Sequence, residues 1–436
     1  MHEVWMSVVT GFILIISGLF CMCIPNRIFS LILNLSVIYF LINTVYLLYL
    51  FSKKRKKIDL LFAFLSLLFV LFLMEYRQFP EWIIRVMFAT YCLLIGISCT
   101  VQVGIHYING MKGSFFFLLL GIVYIGLGLF LLWSNMVTTD RLLQFFGLYF
   151  MILGVQYLHD SWQSVQPEKK YRWKRSFRIM IPPIFAVFIP DRVIQGINAY
   201  LQEGKTIDLS EYKSDQEPQL KVMVHVGPDG FQKIGHICFA YKDLVYSYGN
   251  YDAQSFHLMQ TLGDGVFFNV ELNQYIANAM RAENNSIFEY GIYLEPKEQA
   301  LVERELRKLQ ANSYRWYCEL EKTGDYDHFY QYAQDYPCRL HYRTGAKFYK
   351  IKQGKFKTYW VCGDNCASFI DWILGQLGSD VLSIRGIITP GSYFEFLETE
   401  YMKKSSPVVY RKVHPWNKEL AKMYTGSYKK KRFKTS

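Results

Sequence analysis

The chain has 436 residues, of which 52% are hydrophobic, and a formal net charge of +12 at pH 7. Because the apolar runs precede Asp160 and much of the basic charge lies beside them or at the C-terminus, the pattern favours anionic lipid headgroups over nucleic acid as a partner. The nine cysteines include no CxxC pair, which argues against a disulfide framework and a zinc site. No pattern indicates a cofactor.

The first 160 residues contain six apolar runs, each of a length that spans a hydrocarbon core of about 30 Å as a helix. This pattern predicts an all-α membrane domain over residues 1–160. The predicted spans lie at about 5–24, 28–51, 58–74, 82–103, 114–133 and 142–158.

Basic residues between and after the spans predict the orientation in the membrane. A run of five lies at 53–57, and a second cluster, which includes Lys169 and Arg178, follows the last span. Basic connectors stay on the cytoplasmic side, and six spans place both clusters on one side. Both termini and the C-terminal domain are therefore predicted to be cytoplasmic, in a multi-pass membrane protein.

An internal repeat supports the number of spans. Gly11 and Gly18 in the first helix have the same spacing as Gly121 and Gly128 in the fifth, which indicates a helical hairpin used three times. Glycines two turns apart let helices approach closely, and they also allow a homo-oligomer through the membrane helices. The spans contain almost no ionisable residues, which disfavours a transporter.

With Pro25 after Gly11 and Gly18, this half resembles the HdeD-like family of small bacterial membrane proteins. The resemblance covers about 155 residues and rests on pattern more than on motif. It implies an inner-membrane protein linked with stress or acid resistance, and it carries over no catalytic residue.

Residues 161–190 are predicted to be a basic juxtamembrane linker. Its apolar stretch from Ile179 to Pro190 contains two adjacent prolines and is too short to span as a helix. An interfacial segment and a buried first strand of the next domain are equally consistent with it. A short basic tail is predicted over 426–436.

Residues 191–425 have the mixed pattern of a soluble α+β domain. The last predicted hairpin turns at Gly354. The predicted elements are a helix near 191–203, strands at 219–226, 234–241, 244–249 and 287–294, a helix from Pro296 to about Gln310, a hairpin across 346–361 and a helix from about Asn365 to Leu377.

Two segments of this domain carry reactive side chains. His236 begins an apolar strand, and Cys366 follows a loop and opens an amphipathic helix. The N–H groups and positive dipole end of a helix favour a thiolate, and a histidine on a neighbouring strand can exchange its proton. Cys362 is expected to be structural, and Cys238 shares a strand face with His236 but has no helix dipole to activate it.

The order His before Cys is that of circularly permuted papain-like proteins, among them the lecithin retinol acyltransferase and PPPDE groups. The text Tyr246-Ser-Tyr-Gly-Asn-Tyr-Asp252 followed by Asp364-Asn-Cys366 resembles the Lnb-type periplasmic domain family over about 150 residues. The resemblance implies a permuted papain-like domain with Cys366 as nucleophile and His236 as base. That family commonly has Asn where this chain has Ser247, which leaves the third residue open.

Strand register leaves three candidates for that third residue. A two-residue turn at Lys242 and Asp243 places His236 opposite Gly249, with Ser247 and Tyr251 on its face, whereas a bulge at Gly249 brings Asn250 there instead. The candidates are Ser247, Asn250 and Asp252.

These patterns support two hypotheses about function. One is a membrane-tethered papain-like thiol hydrolase or acyltransferase that acts on an amide, ester or thioester of an unknown peptide, acyl or cell-wall substrate. The other is a membrane stress-response or binding protein that keeps a papain-like shell without catalysis.

Overall fold

The computed structural model describes residues 2–76, 78–134, 138–165, 211–226, 235–283, 285–378, 390–403 and 406–414. The contacts divide the chain into two compact units. One contains residues up to Cys99 together with Leu118–Ser161, and the other contains Thr100–Phe117 and the described residues from Trp162 onward. The predicted linker at 161–190, the helix near 191–203 and the basic tail at 426–436 lie almost entirely or entirely outside the described residues.

The six predicted apolar helices are confirmed, and each is long and apolar enough to cross a membrane. Pro25 occupies the first turn of the second helix, where a missing N–H costs no helical hydrogen bond. The helices are α1 His2–Cys23, α2 Pro25–Lys54, α3 Lys57–Glu75, α4 Gln78–Ile108, α5 Phe115–Trp133 and α6 Thr139–Val165.

Glycines bring the backbones of these helices together. A Cβ built on Gly18 of α1 would lie 2.5 Å from the carbonyl oxygen of Gly147 in α6, and one on Gly11 would lie 3.0 Å from that of Gly154. Glycine is therefore needed at these two close approaches of α1 and α6. Contacts of the same kind join α4 to α5, and α2 packs along α3. The repeat of three hairpins stays a prediction.

The second unit is built on a nine-stranded antiparallel sheet with the order β1-β11-β7-β2-β3-β4-β6-β9-β8. A separate pair joins β10 to β5. The strands are β1 Glu211–Tyr212, β2 Leu220–Val226, β3 His236–Tyr241, β4 Leu244–Gly249, β5 Leu262–Asp264, β6 Val266–Glu271, β7 Ser286–Ile292, β8 Ser313–Trp316, β9 Lys347–Ile351, β10 Thr358–Trp360 and β11 Val408–His414.

Helices cover both faces of this sheet. On the first face a buried cluster joins strand residues such as Ile237 and Tyr248 to three of the helices, and on the second face Met223 and Cys238 lie in a cluster with two others. The first-face helices are α8 Pro296–Ala311, α11 Cys366–Gln376 and α12 Pro390–Met402; those of the second face are α7 Leu272–Ala282 and α10 Tyr336–Thr344, and the short α9 Glu319–Thr323 packs against α10.

Most described elements of this domain agree with the sequence prediction. The exception is the hairpin predicted across 346–361, which is wrong. β9 pairs with β6 and β8, while β10 pairs with β5. Gly354 does have a positive φ of 80°, as a turn requires, but the loop around it separates two strands that belong to different sheets.

Candidate active site

Cys366 is the first residue of α11, and the residue before it fixes the start of that helix. The Asn365 side chain accepts a hydrogen bond from the backbone N–H of Ser368 at 2.9 Å and donates one to the carbonyl of Val361 at 2.8 Å. An N-cap of this kind satisfies a helix N–H that would otherwise be left without a partner. The Cys366 side chain lies on the first face of the sheet, where it is only 6% exposed.

Strands β3 and β4 separate beside this cysteine. They are joined by a tight turn in which Lys242 and Asp243 have φ values of 49° and 63°, and their pairing runs from Tyr241 with Leu244 to Phe239 with Tyr246. A continued ladder would pair Ile237 with Tyr248. Instead, the backbone N–H of Ile237 lies near the Cys366 sulfur and acts to lower the pKa of its thiol.

The protonation of Cys366 follows from two opposing effects. Burial raises the pKa of its thiol to about 11, although hydrogen bonds from the backbone amides of Ile237, Ala367 and Cys366 itself act in the opposite direction. Desolvation disfavours the charged form of any thiol, and amide donors stabilise it. Cys366 is therefore a protonated thiol at neutral pH in this structure.

His236 is held on the second face of the sheet by two hydroxyl groups. Its Nε2 lies 2.7 Å from Ser247 Oγ and 3.4 Å from the hydroxyl of Tyr251, and these two hydroxyls are 3.0 Å apart. The register prediction that Ser247 and Tyr251 share the face of His236 is confirmed. Burial lowers the pKa of His236 to about 4, so the imidazole is neutral at pH 7.

The other two candidates for the third residue have different partners. Asn250 donates to the carbonyl of Gln260 at 3.1 Å. Asp252 accepts from the N–H of Gln254 at 3.1 Å and forms an ion pair with Lys350 at 2.6 Å. Within the described residues neither side chain hydrogen-bonds to His236, and Ser247 is the candidate that does.

Cys366 and His236 lie on opposite faces of the sheet and do not hydrogen-bond to each other among the described residues. The cysteine approaches the sheet from the first face and the histidine from the second, and the amide that contacts the sulfur belongs to the residue after His236. Burial is the main cause of the high pKa of Tyr251, and the nearby Cys366 raises it further. The sulfur therefore lies within electrostatic range of a hydroxyl that contacts His236.

A second buried group next to His236 was not singled out by the sequence. The His225 and His236 rings are 5.6 Å apart, and His225 Nε2 lies 3.2 Å from the Tyr275 hydroxyl and 3.6 Å from the Cys238 sulfur. His225 is buried, with 5% of its surface exposed. Burial and the nearby His236 lower the pKa of His225 to about 3, and burial raises that of Cys238.

A cavity of about 430 Å³ opens on this second face beside His236. Its wall is rich in tyrosine and side-chain amides, a composition that suits a polar ligand bound with little net charge. One lining carboxylate, Glu283, is neutralised by Arg339 at 3.1 Å and Arg343 at 2.7 Å. The residues that line the cavity around His236 include His225, Asn250, Tyr251, Tyr275, Asn278, Asn285, Tyr336 and Pro337.

Asp364, two residues before the cysteine, is buried and bonded to the end of α4 within the same compact unit. Gln102 donates to its Oδ2 at 3.1 Å, and a Cβ on Gly363 would clash with the Gln102 side chain. Burial raises the pKa of Asp364, and the bond from Gln102 opposes that rise. Sequence reasoning missed Gln102 because it lies in the last turns of an apolar span.

The described residues contain no group of three or more His, Cys, Asp and Glu side chains that could hold a metal ion. Comparison with known proteins adds no further assignment, because no family model, no curated protein and no solved structure matches this chain.

Proposed function

We propose that this protein is a membrane-tethered thiol hydrolase or acyltransferase with a permuted papain-like domain, in which Cys366 is the nucleophile and His236 the general base. The observation that supports this most is the proximity of the Ile237 amide to the Cys366 sulfur, where the pairing of β3 with β4 stops. That amide belongs to the residue next to His236. The proposed nucleophile therefore lies beside the strand that carries the proposed base, and the two side chains approach from opposite faces of the sheet.

In the proposed reaction the Cys366 sulfur attacks the carbonyl carbon of an amide, ester or thioester while His236 takes the thiol proton. The backbone amides at the start of α11 stabilise the oxyanion. His236 then returns the proton to the leaving group, which leaves an acyl group on Cys366. Water removes the acyl group in a hydrolase, and another nucleophile accepts it in an acyltransferase.

Ser247 acts as the positioning residue in this proposal. Its hydroxyl holds Nε2 of His236 at 2.7 Å, and no other described residue is bonded to the second ring nitrogen, Nδ1. Nδ1 is then the nitrogen that receives the thiol proton. Nε2 then carries a hydrogen in both states, so it donates to the Ser247 hydroxyl before and after the proton moves.

The membrane half supports a proposal about where the reaction takes place. It does not suggest that the helices take part in the reaction. Six apolar helices hold the chain in a bilayer, and the adjacent basic clusters attract anionic headgroups. A substrate near the membrane surface, such as a peptide, an acyl chain or cell-wall material, therefore suits this domain best.

A non-catalytic binding protein of the membrane stress response is the second candidate. It is favoured by the burial of Cys366, which is 6% exposed, and by its lack of a hydrogen bond to His236 among the described residues. In this alternative the cavity beside His236 binds its ligand without bond cleavage.

Acylation by a generic ester separates the two candidates. Purified full-length protein in detergent is mixed with p-nitrophenyl acetate, and both the release of p-nitrophenolate and the acetylated peptide are measured. We expect a burst close to one equivalent and acetyl on Cys366. Cys366→Ala should abolish the burst, and His236→Gln should lower its rate by about 10²-fold, the low end for general base catalysis.

Cys362→Ala is the matched control, because Cys362 lies in the same loop four residues earlier and is more exposed than Cys366. It should leave the burst unchanged. Acetylation that is spread over other cysteines, or that is indifferent to His236, would refute the catalytic proposal and favour the binding protein.

A further inference from the structure

Two buried cysteines lie together away from the candidate active site. Cys318 is the N-cap of the short helix α9, and Cys338 lies in the first turn of α10. Both side chains have no exposed surface, and they share a small hydrophobic cluster with Leu320. The chain folds back between them through the segment 319–337.

Direct contacts hold the two sulfur atoms in one place. The backbone N–H of Leu320, two residues after Cys318, donates to Cys338 Sγ at 3.4 Å, which places that sulfur beside the turn that carries Cys318. Asp335 caps the start of α10 by accepting from the N–H of Cys338 at 3.2 Å. The backbone of α9 therefore holds the Cys338 sulfur, and Asp335 fixes the start of the helix that carries Cys338.

The electrostatics of the pair distinguish its two members. The hydrogen bond from Cys338 is the main cause that lowers the pKa of Cys318, and the backbone N–H of Glu321 adds to it. The same bond raises the pKa of Cys338. The two thiols thus influence each other's ionisation, and a thiolate is the species that thiol–disulfide exchange requires.

We propose that Cys318 and Cys338 are a disulfide site that joins the start of α9 to the start of α10. The oxidant is an external disulfide, either oxidised glutathione or the active site of a thiol–disulfide oxidoreductase. Cys318 thiolate attacks it, forms a mixed disulfide and releases one thiol. Cys338 thiolate then attacks Cys318 Sγ, which forms the internal bond and releases the second thiol, so two protons and two electrons leave the pair.

The burial of both thiols determines when this bond forms. An oxidant reaches them while the segment 319–337 is still folding or is locally open, and the closed cluster then shields the bond from reduction. The site bears on the cavity, because Tyr336 and Pro337 at the start of α10 line it beside His236. A bridge at the next residue, Cys338, fixes that wall. The disulfide does not depend on catalysis by Cys366.

Peptide mapping of the full-length protein tests the proposal. The purified protein in detergent is partly opened in a mild denaturant, oxidised with oxidised glutathione, returned to native buffer, denatured in N-ethylmaleimide and digested without reduction. We expect the peptide that contains Cys318 to be joined to the one that contains Cys338. The oxidised protein should also melt several degrees higher than the reduced protein, because the bridge restricts the unfolded chain.

Cys362→Ser is the control, since it removes the half-buried thiol and should leave the bridge intact. Cys318→Ala and Cys338→Ala each replace a small buried side chain and should abolish the joined peptide. The proposal is overturned when both cysteines carry maleimide after this oxidation, or when either is joined to a different cysteine. A bridge that forms in a protein without ester acylation would still support it, so the two proposals fail separately.

Discussion

Ser247 is the residue proposed to orient His236, and it does so through a hydroxyl and not through an amide or a carboxylate. It is fully buried, and its Oγ contacts both His236 Nε2 and the Tyr251 hydroxyl. A hydroxyl at 2.7 Å fixes the ring as firmly as an amide would, but it contributes no charge to the imidazolium that forms during attack. We therefore expect a modest orienting effect.

Ser247→Ala should lower the rate of Cys366 acylation by about fivefold, because a neutral hydrogen bond that positions the base contributes roughly 1 kcal/mol. Ser247→Thr keeps the hydroxyl and should retain most of the rate. The measurement is the burst rate with p-nitrophenyl acetate as a function of pH. Loss of the serine bond should also shift the apparent pKa of the base, which a purely structural role would not do.

Asn250→Ala is the matched control for Ser247, since Asn250 lines the same cavity but donates to Gln260. Its burst rate should stay within about twofold of the wild type. A larger loss with Asn250→Ala than with Ser247→Ala would assign the orienting role to Asn250 and contradict the one proposed here.

The buried histidines His225 and His236 should make the fold sensitive to acid. Their pKa values of about 3 and about 4 lie below the unfolded value near 6.5, so the unfolded chain binds more protons between these limits. The stability that comes from keeping them neutral is complete above pH 6.5 and is lost as the pH falls through 4. Each histidine contributes a slope of up to about 1.4 kcal/mol per pH unit in that window.

Thermal melting between pH 7 and 4.5 checks this expectation. The His225→Gln variant should be less stable at pH 7. Its stability should fall less steeply on acidification, because its unfolding takes up about one proton fewer. His257→Gln replaces a histidine in another part of the domain and should keep the wild-type slope. An unchanged slope in His225→Gln would show that His225 is not neutral in the folded protein.

At the scale of single residues, the sequence predicted which side chains share a face of the sheet, because side chains alternate between the two faces along a strand. The two-residue turn at Lys242 and Asp243 sets the register, and the register places Ser247 on the face of His236. The sequence did not predict that His225 lies beside His236, because the strands that pair with β2 could not be identified from it. The pairing of β2 with β3 puts the two imidazoles side by side, and only the assembled sheet shows this.

At the scale of secondary structure, the main feature is the point where β3 and β4 stop pairing. Cys366 approaches β3 from one face of the sheet there, and His236 projects from the other. A hairpin with a two-residue turn normally continues its ladder, so the pattern of apolar residues predicts continued pairing up to Gly249. In the structure the pairing stops at Phe239 with Tyr246, and the start of α11 lies beside the Ile237 amide at that point. A contact between residues so distant in sequence has no signal in local propensity.

The hairpin predicted across 346–361 failed for a related reason. Both of its strands exist and Gly354 lies in a turn conformation between them, so every local cue is satisfied. The partners differ because β10 finds β5, and β9 completes the large sheet between β6 and β8. Long-range pairing thus overrides turn chemistry here, which is common when a loop is longer than the tight hairpin turns.

The end of α4 supports the loop that presents Cys366, and a substitution at Gln102 tests this. Gln102→Leu removes the donor to Asp364 and leaves a buried carboxyl without that bond, at a cost of about 1–3 kcal/mol. We expect a lower melting temperature and a slower acylation of Cys366. Intact folding is checked by the melting curve itself, so that a rate effect at a temperature well below melting can be assigned to the loop.

Tyr107→Ala is the control on the same helix, because its side chain is 86% exposed in the described structure. It should change neither melting nor acylation. Equal losses in Gln102→Leu and Tyr107→Ala would indicate a general effect of disturbing α4 and would contradict a specific role for Gln102.

For the molecule as a whole, hydrophobic length was the most informative sequence signal. Runs long enough to span a bilayer predicted all six helices, because every backbone group in lipid must be bonded within its own helix. The glycines Gly11 and Gly18 were also informative, as they lie against the backbone of Gly147 and Gly154. That second pair has the same seven-residue spacing in α6 and marks the helix that α1 packs against.

An even number of spanning helices predicts that both termini lie on one side of the membrane. The basic run at 53–57 between α2 and α3 further predicts that this side is the cytoplasm. Fusions of green fluorescent protein or alkaline phosphatase to each terminus give the answer, since the first fluoresces only inside and the second is active only outside. We expect fluorescence and no phosphatase activity at both ends, and the reverse for phosphatase inserted after Tyr76, between α3 and α4.

Opposite signals at the two termini would contradict six spans, and phosphatase activity at both would reverse the orientation. The second result would also change the chemistry. An external domain meets cell-wall amides instead of cytoplasmic peptides and acyl groups, and an oxidising compartment favours the bond between Cys318 and Cys338. The side of the membrane and the state of that cysteine pair should therefore agree, reduced in the cytoplasm and oxidised outside it.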